Sequence, residues 1–114
     1  MALIYKIVSR GEWELAASKG VFDGAPVDLA DGFIHFSTAA QVIETAARHF
    51  AGKADLLLIG FDAESLGPAL KWEPSRGGDL FPHLYASLPT ALATRVAPLP
   101  LGSSGLHDFS GLLA

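Results

Sequence analysis

The sequence predicts one α+β domain in which a mixed, mostly antiparallel sheet packs against two main helices. Several short apolar segments have the character of strands, two segments begin with helix-capping residues, and strands and helices do not alternate strictly. A chain of 114 residues has the size of one domain. We therefore expect a single domain over residues 1–101, followed by a loosely held tail with Gly and Ser over residues 102–114.

The chain opens with a predicted strand and a predicted helix. Residues 3–8 are mostly apolar or β-branched, which favours a strand. Ser9 and Glu12 have the spacing of a capping box, in which each side chain accepts a hydrogen bond from the other residue's backbone N–H. Gly20 is well placed to end this helix.

A second strand and helix follow. Residues 33–36 predict a short buried strand between turn-forming residues and a helix start. Thr38 and Gln41 repeat the capping-box spacing and predict a helix to Phe50, with Gly52 as its stop. The apolar stripe of this helix consists of Val42, Ile43, Ala46, Ala47 and Phe50.

The second half of the chain predicts strands and loops. Residues 55–61 contain a continuous apolar run, which is typical of a central strand covered on both faces. Residues 69–73 alternate apolar and charged side chains, as a half-exposed strand does, and Pro74 is expected to end that strand. The remaining predicted elements are a glycine-rich loop and two short strands, at residues 75–82, 84–88 and 92–99.

Charge and composition narrow the classes of function. The formal charge is −4 and the basic residues form no run, so we expect no nucleic-acid partner. Without cysteine there is no disulfide, thiolate metal site or cysteine nucleophile. No basic leader precedes an apolar stretch and no apolar run approaches the ~20 residues that span a bilayer, so we expect a cytoplasmic location and no membrane partner.

Residues 31–38 form the first candidate site. His35, Ser37 and Thr38 bring an imidazole and two hydroxyls to a strand-to-helix junction, where free backbone N–H groups often bind anions. The alternative is that His35 is a histidine of the core and that the hydroxyls only cap the helix. On this segment alone the structural alternative is favoured, because hydroxyl caps are common.

Residues 72–85 form the second candidate site. They combine carboxylates, a guanidinium, an imidazole, a phenol and several large rings with two adjacent glycines. Arg76 has the geometry to bind a phosphate or carboxylate, and Phe81 could stack on a planar ligand. The alternative is an ordered loop in which Arg76 pairs with Glu73 or Asp79. Concentrated polar and aromatic groups on a loop often mark function.

Other site classes find little support. The four histidines, His35, His49, His83 and His107, match no local spacing of metal ligands, so no metal site is predicted. The sequence lacks a G-x-S-x-G elbow, a P-loop and a G-x-G-x-x-G motif, so serine-hydrolase, NTPase and Rossmann sites are not indicated.

Three segments, residues 3–7, 31–38 and 70–85, together resemble the DUF952 family over nearly the whole chain. That family of short bacterial proteins of undetermined function has been grouped with the ADP-ribosyltransferase-like fold. The resemblance therefore implies a curved, split pair of mostly antiparallel sheets with helices beside them. It also implies NAD as a substrate, bound in the cleft between the sheets.

The resemblance also implies roles for individual residues. The first-strand position that contacts the adenosine ribose holds Lys6 rather than His or Arg, and Lys6 is a weak substitute. His35 and Ser37 fall on the second sequence motif of ADP-ribosyltransferase-like enzymes and would contact ribose hydroxyls. Glu73 would stabilise developing positive charge, and His83 would act as general acid and base. The remaining implied ligand contacts are Thr38, Arg76 on the pyrophosphate, and Phe81 or Tyr85 against a ring.

Two alternatives to an NAD-using enzyme stay open at this point. The first strand lacks the His that ADP-ribosyltransferase-like enzymes have, and no Glu clearly matches the late Glu of their third motif. These two differences suggest a non-catalytic module that binds a nucleotide or another small anionic ligand. The high apolar content, 50% of residues, suggests a protein-interaction module instead. Whether the two candidate segments line one cleft, and in which oligomeric state, is not predicted by the sequence.

Overall fold

The computed structural model describes residues 2–113 and, for Arg76, the backbone without the side chain. The α-helices are α1 (Arg10–Lys19), α2 (Pro26–Asp31) and α3 (Ala39–His49), and short 3-10 helices lie at Ala63–Ala69, Arg76–Gly78 and Thr90–Leu92. The strands are β1 (Leu3–Ser9), β2 (Val21–Phe22), β3 (Ile34–His35), β4 (Ser37–Thr38), β5 (Leu56–Asp62), β6 (Leu70–Ser75), β7 (Asp79–Leu84), β8 (Leu88–Pro89) and β9 (Ala93–Leu99). Within residues 2–113, no helix is long and apolar enough to cross a membrane.

The strands pair in antiparallel fashion throughout and form three sheets. The largest has the order β4-β1-β5-β9, the second has the order β3-β7-β6, and β2 pairs with β8. The predicted central strand is β5, whose side chains point alternately into two hydrophobic clusters, Leu57 and Ile59 into one and Leu58 into the other. The predicted α+β class and antiparallel sheets are confirmed.

The first helix begins and ends where the sequence predicts. The Ser9 hydroxyl accepts a hydrogen bond from Glu12 N–H at 3.2 Å and donates one to Glu12 Oε1 at 2.8 Å. Gly20 ends α1 in the left-handed conformation, with φ +84°, which glycine adopts without a steric penalty. Trp13 on this helix is buried against Phe22 and Phe61.

The expectation of two main helices is incomplete, because a third helix, α2, replaces part of a predicted turn region. Pro26 occupies the first helical position, where its missing N–H costs nothing. Asp28 in the first turn accepts a hydrogen bond from Ala25 N–H at 2.8 Å, and Gly32 ends the helix with φ +86°. Six residues are too few for helical periodicity to be visible in the sequence.

The residues predicted as a strand (69–73), a glycine-rich loop (75–82) and the start of a further strand (84–88) form a hairpin of β6 and β7. Pro74 does not end β6, which runs to Ser75 with Pro74 paired to Leu80. Proline is tolerated there because β6 is an edge strand and that position needs no ladder donor. The predicted loop over residues 75–82 shrinks to a turn at Arg76–Gly78, and the strand predicted over residues 84–88 is two separate strands, β7 and β8.

The predicted strand over residues 33–36 divides between two sheets. Ile34 and His35 pair with β7, whereas the following Ser37 pairs with Tyr5 on β1. Phe36 lies between them, and its N–H donates to Pro82 O at 3.0 Å. The chain thus crosses from one sheet to the other at Phe36. As a result β1 pairs with β4 at Ile4 and Tyr5 alone among the described residues, which leave the same edge of β1 open beyond them.

The C-terminal segment is more firmly attached than a loosely held tail. Phe109 and Leu112 pack against the hydrophobic cluster that includes Leu58 and Val42. Gly52 N–H donates to Gly105 O at 2.8 Å, so the segment is also bonded to the residues that follow α3.

Candidate functional site

A cavity of about 750 Å³ lies at the open edge of β1. The walls come from β1, from α2 and the residue before it, from the second half of α3 with the residues after it, and from the β3–β7 pair. Among the described residues, three of the chain's eight Lys and Arg line this cavity, but only two of its twelve Asp and Glu. These are Lys6, Arg48, Lys53, Glu12 and Asp31. Three histidines, His35, His49 and His83, add further basic groups.

Lys6 forms a buried ion pair with Asp28. Its Nζ lies 3.0 Å from Asp28 Oδ1 and 2.9 Å from Oδ2, and the two side chains are 7% and 1% exposed. Burial lowers the pKa of Lys6, and the neighbouring Asp28 opposes that change. Lys6 is the one charged side chain of a strand that is otherwise apolar between Leu3 and Val8, so it needs a partner inside the protein.

Asp28 also holds His35. Its Oδ1 lies 2.7 Å from His35 Nδ1 and accepts the His35 backbone N–H at 3.1 Å. Burial raises the pKa of Asp28, but the hydrogen bond from His35, the charge of Lys6 and two backbone donors outweigh it and bring the pKa to about 2. Asp28 is therefore ionised at neutral pH, where it fixes the position of both basic side chains.

The His35 ring lies between two carboxylates. Nε2 of His35 is 2.9 Å from Asp31 Oδ2, while Nδ1 faces Asp28. Two carboxylates accept hydrogen bonds from both ring nitrogens only when the ring is a doubly protonated imidazolium. Carboxylates thus contact both ring nitrogens of His35 and fix the orientation of the ring.

His83 has a different environment. Its Nδ1 lies 2.8 Å from Glu73 Oε1, and Nε2 has no hydrogen-bond partner among the described residues. The Tyr85 hydroxyl donates to the same Glu73 oxygen at 2.7 Å. Hydrogen bonds from Tyr85 and from His83 lower the pKa of Glu73, and the bond to Glu73 raises the pKa of Tyr85. Glu73 accepts the Nδ1 proton, so Nε2 is the ring nitrogen that a ligand could contact.

The two histidines are direct neighbours in the sheet. His35 pairs with His83 in the β3–β7 register, and their ring centroids are 5.6 Å apart. Phe33 stacks on the face of His83 at 4.1 Å between centroids and contacts the His35 ring at 4.6 Å. Packing and hydrogen bonds thus hold both rings at one wall of the cavity. Within residues 2–113, no group of three or more His, Asp or Glu side chains is placed to hold a metal ion.

The structure brings the two predicted segments together but divides the predicted residues. His35, Ser37, Phe81 and His83 line the cavity. Ser37 is buried and shares a hydrogen bond with the Thr45 hydroxyl at 2.9 Å.

The other predicted contacts lie elsewhere. Glu73, Tyr85 and Thr38 are not among the described lining residues, and Thr38 precedes α3 with its N–H bonded to Gln41 Oε1 at 3.0 Å. The side chain of Arg76 lies outside the described part of the chain.

Sequence reasoning did not find Asp28, Phe33 or the cationic wall formed by Arg48 and Lys53. One signal was present for Asp28: a lysine within an apolar strand predicts a buried acidic partner somewhere in the chain. Nothing in the local pattern indicates which of the twelve acidic residues it is.

Comparison with known proteins gives a family and a fold. A family model described as "Protein of unknown function (DUF952)" matches residues 7–96. The crystal structure of protein CC0527 from Caulobacter crescentus is 53% identical, with 95% of each chain covered and a TM-score of 0.92. The solution NMR structure of CC0527 is also 53% identical, with 100% of this chain and 98% of that chain covered and a TM-score of 0.89. No curated protein matches the chain.

Proposed function

The chain belongs to the DUF952 family, and we propose that it binds an anionic nucleotide in the cavity at the open edge of β1, with NAD as the substrate. In this proposal it uses NAD in the manner of ADP-ribosyltransferase-like enzymes. The observation that carries the proposal is the concentration of basic groups around one cavity in a chain of net charge −4. The volume also lies in the range of about 300–1,000 Å³ that is usual for small-molecule sites.

The open edge of β1 can form hydrogen bonds with a ligand that carries an amide. Along an antiparallel strand, residues alternately direct their N–H and C=O groups to one side and then to the other. β1 pairs with β5 along its whole length, so at least one residue between Lys6 and Val8 directs both backbone groups away from β5. The described residues offer those groups no backbone partner. A donor next to an acceptor complements a carboxamide such as that of nicotinamide.

The chemistry that fits this site is cleavage of the glycosidic C–N bond of NAD. A water molecule or an acceptor hydroxyl attacks C1′ of the nicotinamide ribose, and neutral nicotinamide leaves with the electron pair of the broken bond. His83 Nε2 takes the proton of the attacking group, while Glu73 orients the ring through Nδ1. Glu73 then acts through His83, since it is not among the described residues that line the cavity.

The remaining assignments rest on position and on the family resemblance. His35 and Ser37, which line the cavity, are the proposed contacts for the ribose hydroxyls, and Phe81, which also lines it, is the proposed packing surface for a ring. Arg76 stays the predicted contact for the pyrophosphate. Thr38 and Tyr85 have structural partners instead, at the start of α3 and on Glu73.

Calorimetric titration of the purified protein with NAD, ADP-ribose and AMP tests the binding step. We expect saturable binding that is about tenfold weaker in Arg48→Ala, Lys53→Ala and Arg76→Ala, because each removes a cation for the phosphates. Lys19→Ala is the matched control, since Lys19 is exposed in the last turn of α1 and is not among the lining residues. If no nucleotide binds, the proposal is wrong.

A nicotinamide-release assay separates an enzyme from a binding module. The enzyme releases nicotinamide from NAD, and His83→Ala abolishes the release without abolishing binding. A second candidate function, nucleotide binding without turnover, is favoured by the pairing of Lys6 with Asp28, which occupies the first-strand cation. Saturable NAD binding by the wild-type protein with no nicotinamide release would select that alternative.

A further inference from the structure

We propose that His83 and His35 act as a general base and a general acid that hydrolyse cyclic phosphodiesters of the nucleotide class in the same cavity. The inference depends on the proposed nucleotide site, but not on NAD being its ligand. The observation behind it is a pair of neighbouring imidazoles, each bonded to carboxylate and both lining a basic cavity.

The distance between the two rings suits one phosphate group. The His35 and His83 centroids are 5.6 Å apart, in a register that places the two side chains side by side on β3 and β7. Hydrogen bonds from nitrogen to phosphate oxygen are about 2.8 Å long, so one phosphate in the cavity can contact both rings. The Phe33 ring lies against both imidazoles and restricts their rotation.

The hydrogen bonds give the two rings different roles. Glu73 accepts the Nδ1 proton of His83, and Nε2 then carries a lone pair that can take a proton from water. His35 faces carboxylates at both nitrogens, and in its doubly protonated form the Nε2 proton is the one that a ligand would receive when it displaces Asp31. A base and an acid are thus held next to each other.

The proposed reaction consumes only water and the cyclic phosphodiester. Water attacks the phosphorus atom and gives its proton to His83 Nε2 while the new P–O bond forms. The bond from phosphorus to one ester oxygen of the ring breaks, and that oxygen takes the Nε2 proton of His35. The product is a phosphomonoester with a free hydroxyl, and solvent returns the proton from His83 to His35. Lys53 contributes positive charge to the same cavity, which favours an anionic substrate.

Two substrates with different leaving groups test this division of roles. Adenosine 2′,3′-cyclic monophosphate has an alkoxide leaving group that needs an acid, whereas thymidine 5′-(4-nitrophenyl) phosphate has a nitrophenolate that does not. We expect wild type to hydrolyse both substrates and His83→Ala to lose about a hundredfold or more on both. His35→Ala should lose about a hundredfold on the cyclic substrate but less than about tenfold on the nitrophenyl ester. Lys19→Ala should match wild type.

Two results of these assays would overturn the proposed roles of the two histidines. No hydrolysis of the cyclic substrate by wild type, or equal losses in His35→Ala on both substrates, overturns them. If circular dichroism shows that His35→Ala is unfolded, His35→Asn replaces it, since the amide can keep a hydrogen bond to Asp28 but cannot supply an acidic proton. NAD titration of the same preparations separates the two proposals: hydrolysis without NAD binding supports the histidine pair and rejects NAD, and NAD binding without hydrolysis does the reverse.

Discussion

Four donor groups from three parts of the chain converge on the Asp28 carboxylate. Ala25 N–H comes from the residue before α2, His35 gives its backbone N–H and its ring from β3, and Lys6 reaches across from β1. Because β1 and β3 belong to different sheets, Asp28 connects the two sheets that line the cavity. A single buried side chain therefore holds the basic groups of both sheets in position.

Removing Asp28 should lower the free energy of unfolding more than removing Lys6 does. Asp28→Ala leaves a buried ammonium without its partner, and we expect the free energy of unfolding to fall by about 3–5 kcal/mol. Lys6→Met leaves Asp28 with His35 and two backbone donors, so a loss of about 1–2 kcal/mol is expected. Urea unfolding of the single variants and of the double variant measures both, and the double should lose less than the sum. Equal losses in the two single variants would contradict this account.

The hydrogen bond between Tyr85 and Glu73 can be tested by spectroscopy. The hydrogen bond to Glu73 raises the pKa of Tyr85, so Glu73→Gln, which removes the charge of the acceptor, should lower that pKa toward the ordinary value of about 10. Ultraviolet titration of phenolate formation measures it, and Tyr85→Phe identifies which transition belongs to Tyr85, because the chain has two tyrosines. An unchanged transition in Glu73→Gln would show that the bond is absent in solution.

At the scale of elements, the sequence predicts what local chemistry specifies. The capping residues Ser9 and Gly20 define α1, and the apolar run of residues 55–61 corresponds to β5, because each signal lies within the element itself. The helix α2 is not visible in this way. It is short, and its one buried side chain is Asp28, whose other partners besides the N-cap Ala25 are Lys6 on β1 and His35 on β3.

Two glycines of the same helix should respond oppositely to alanine. Gly20 has φ +84°, so Gly20→Ala forces a Cβ into the left-handed region and should lower the free energy of unfolding by about 1 kcal/mol. Gly11 lies within α1 with open space where a Cβ would lie, and Gly11→Ala should raise stability by up to about 0.5–1 kcal/mol. Thermal unfolding of both variants against wild type gives the signs. Shifts of the same sign would contradict the assigned end of the helix.

At the scale of the whole molecule, the site depends on pairings that sequence patterns do not encode. The segments of residues 31–38 and 72–85 are each recognisable by composition, but their meeting through the β3–β7 pair follows from a register between distant parts of the chain. The crossover at Phe36 leaves β1 open, and a divided strand looks the same in the sequence as a continuous one. The family resemblance implies that Glu73 acts on the ligand, and in the fold its carboxylate contacts His83 and Tyr85 on the paired strand and just after it.

The C-terminal segment links overall stability to the cavity. Phe109 packs against the core, and His107 Nε2–H donates to Lys53 O at 2.7 Å, next to a cation of the cavity wall. Arg95 on the edge strand β9 donates from Nη2 to Gly111 O at 2.9 Å. The segment thus covers one cluster and holds the residues after α3 in place.

Shortening the chain after Leu101 should therefore affect both properties. We expect the free energy of unfolding to fall by about 2–4 kcal/mol, because the partly buried apolar side chains of the segment lose their packing. Phe109→Ala should account for about 1–2 kcal/mol of this, whereas Leu106→Ala, at a side chain that is 51% exposed, should change stability by less than about 0.5 kcal/mol. Urea unfolding measures all three. Nucleotide titration of the shortened chain, below its unfolding temperature, should show weaker binding than Leu106→Ala, because Lys53 loses the support of His107. A shortened chain as stable as wild type would mean that the segment does not contribute to the core.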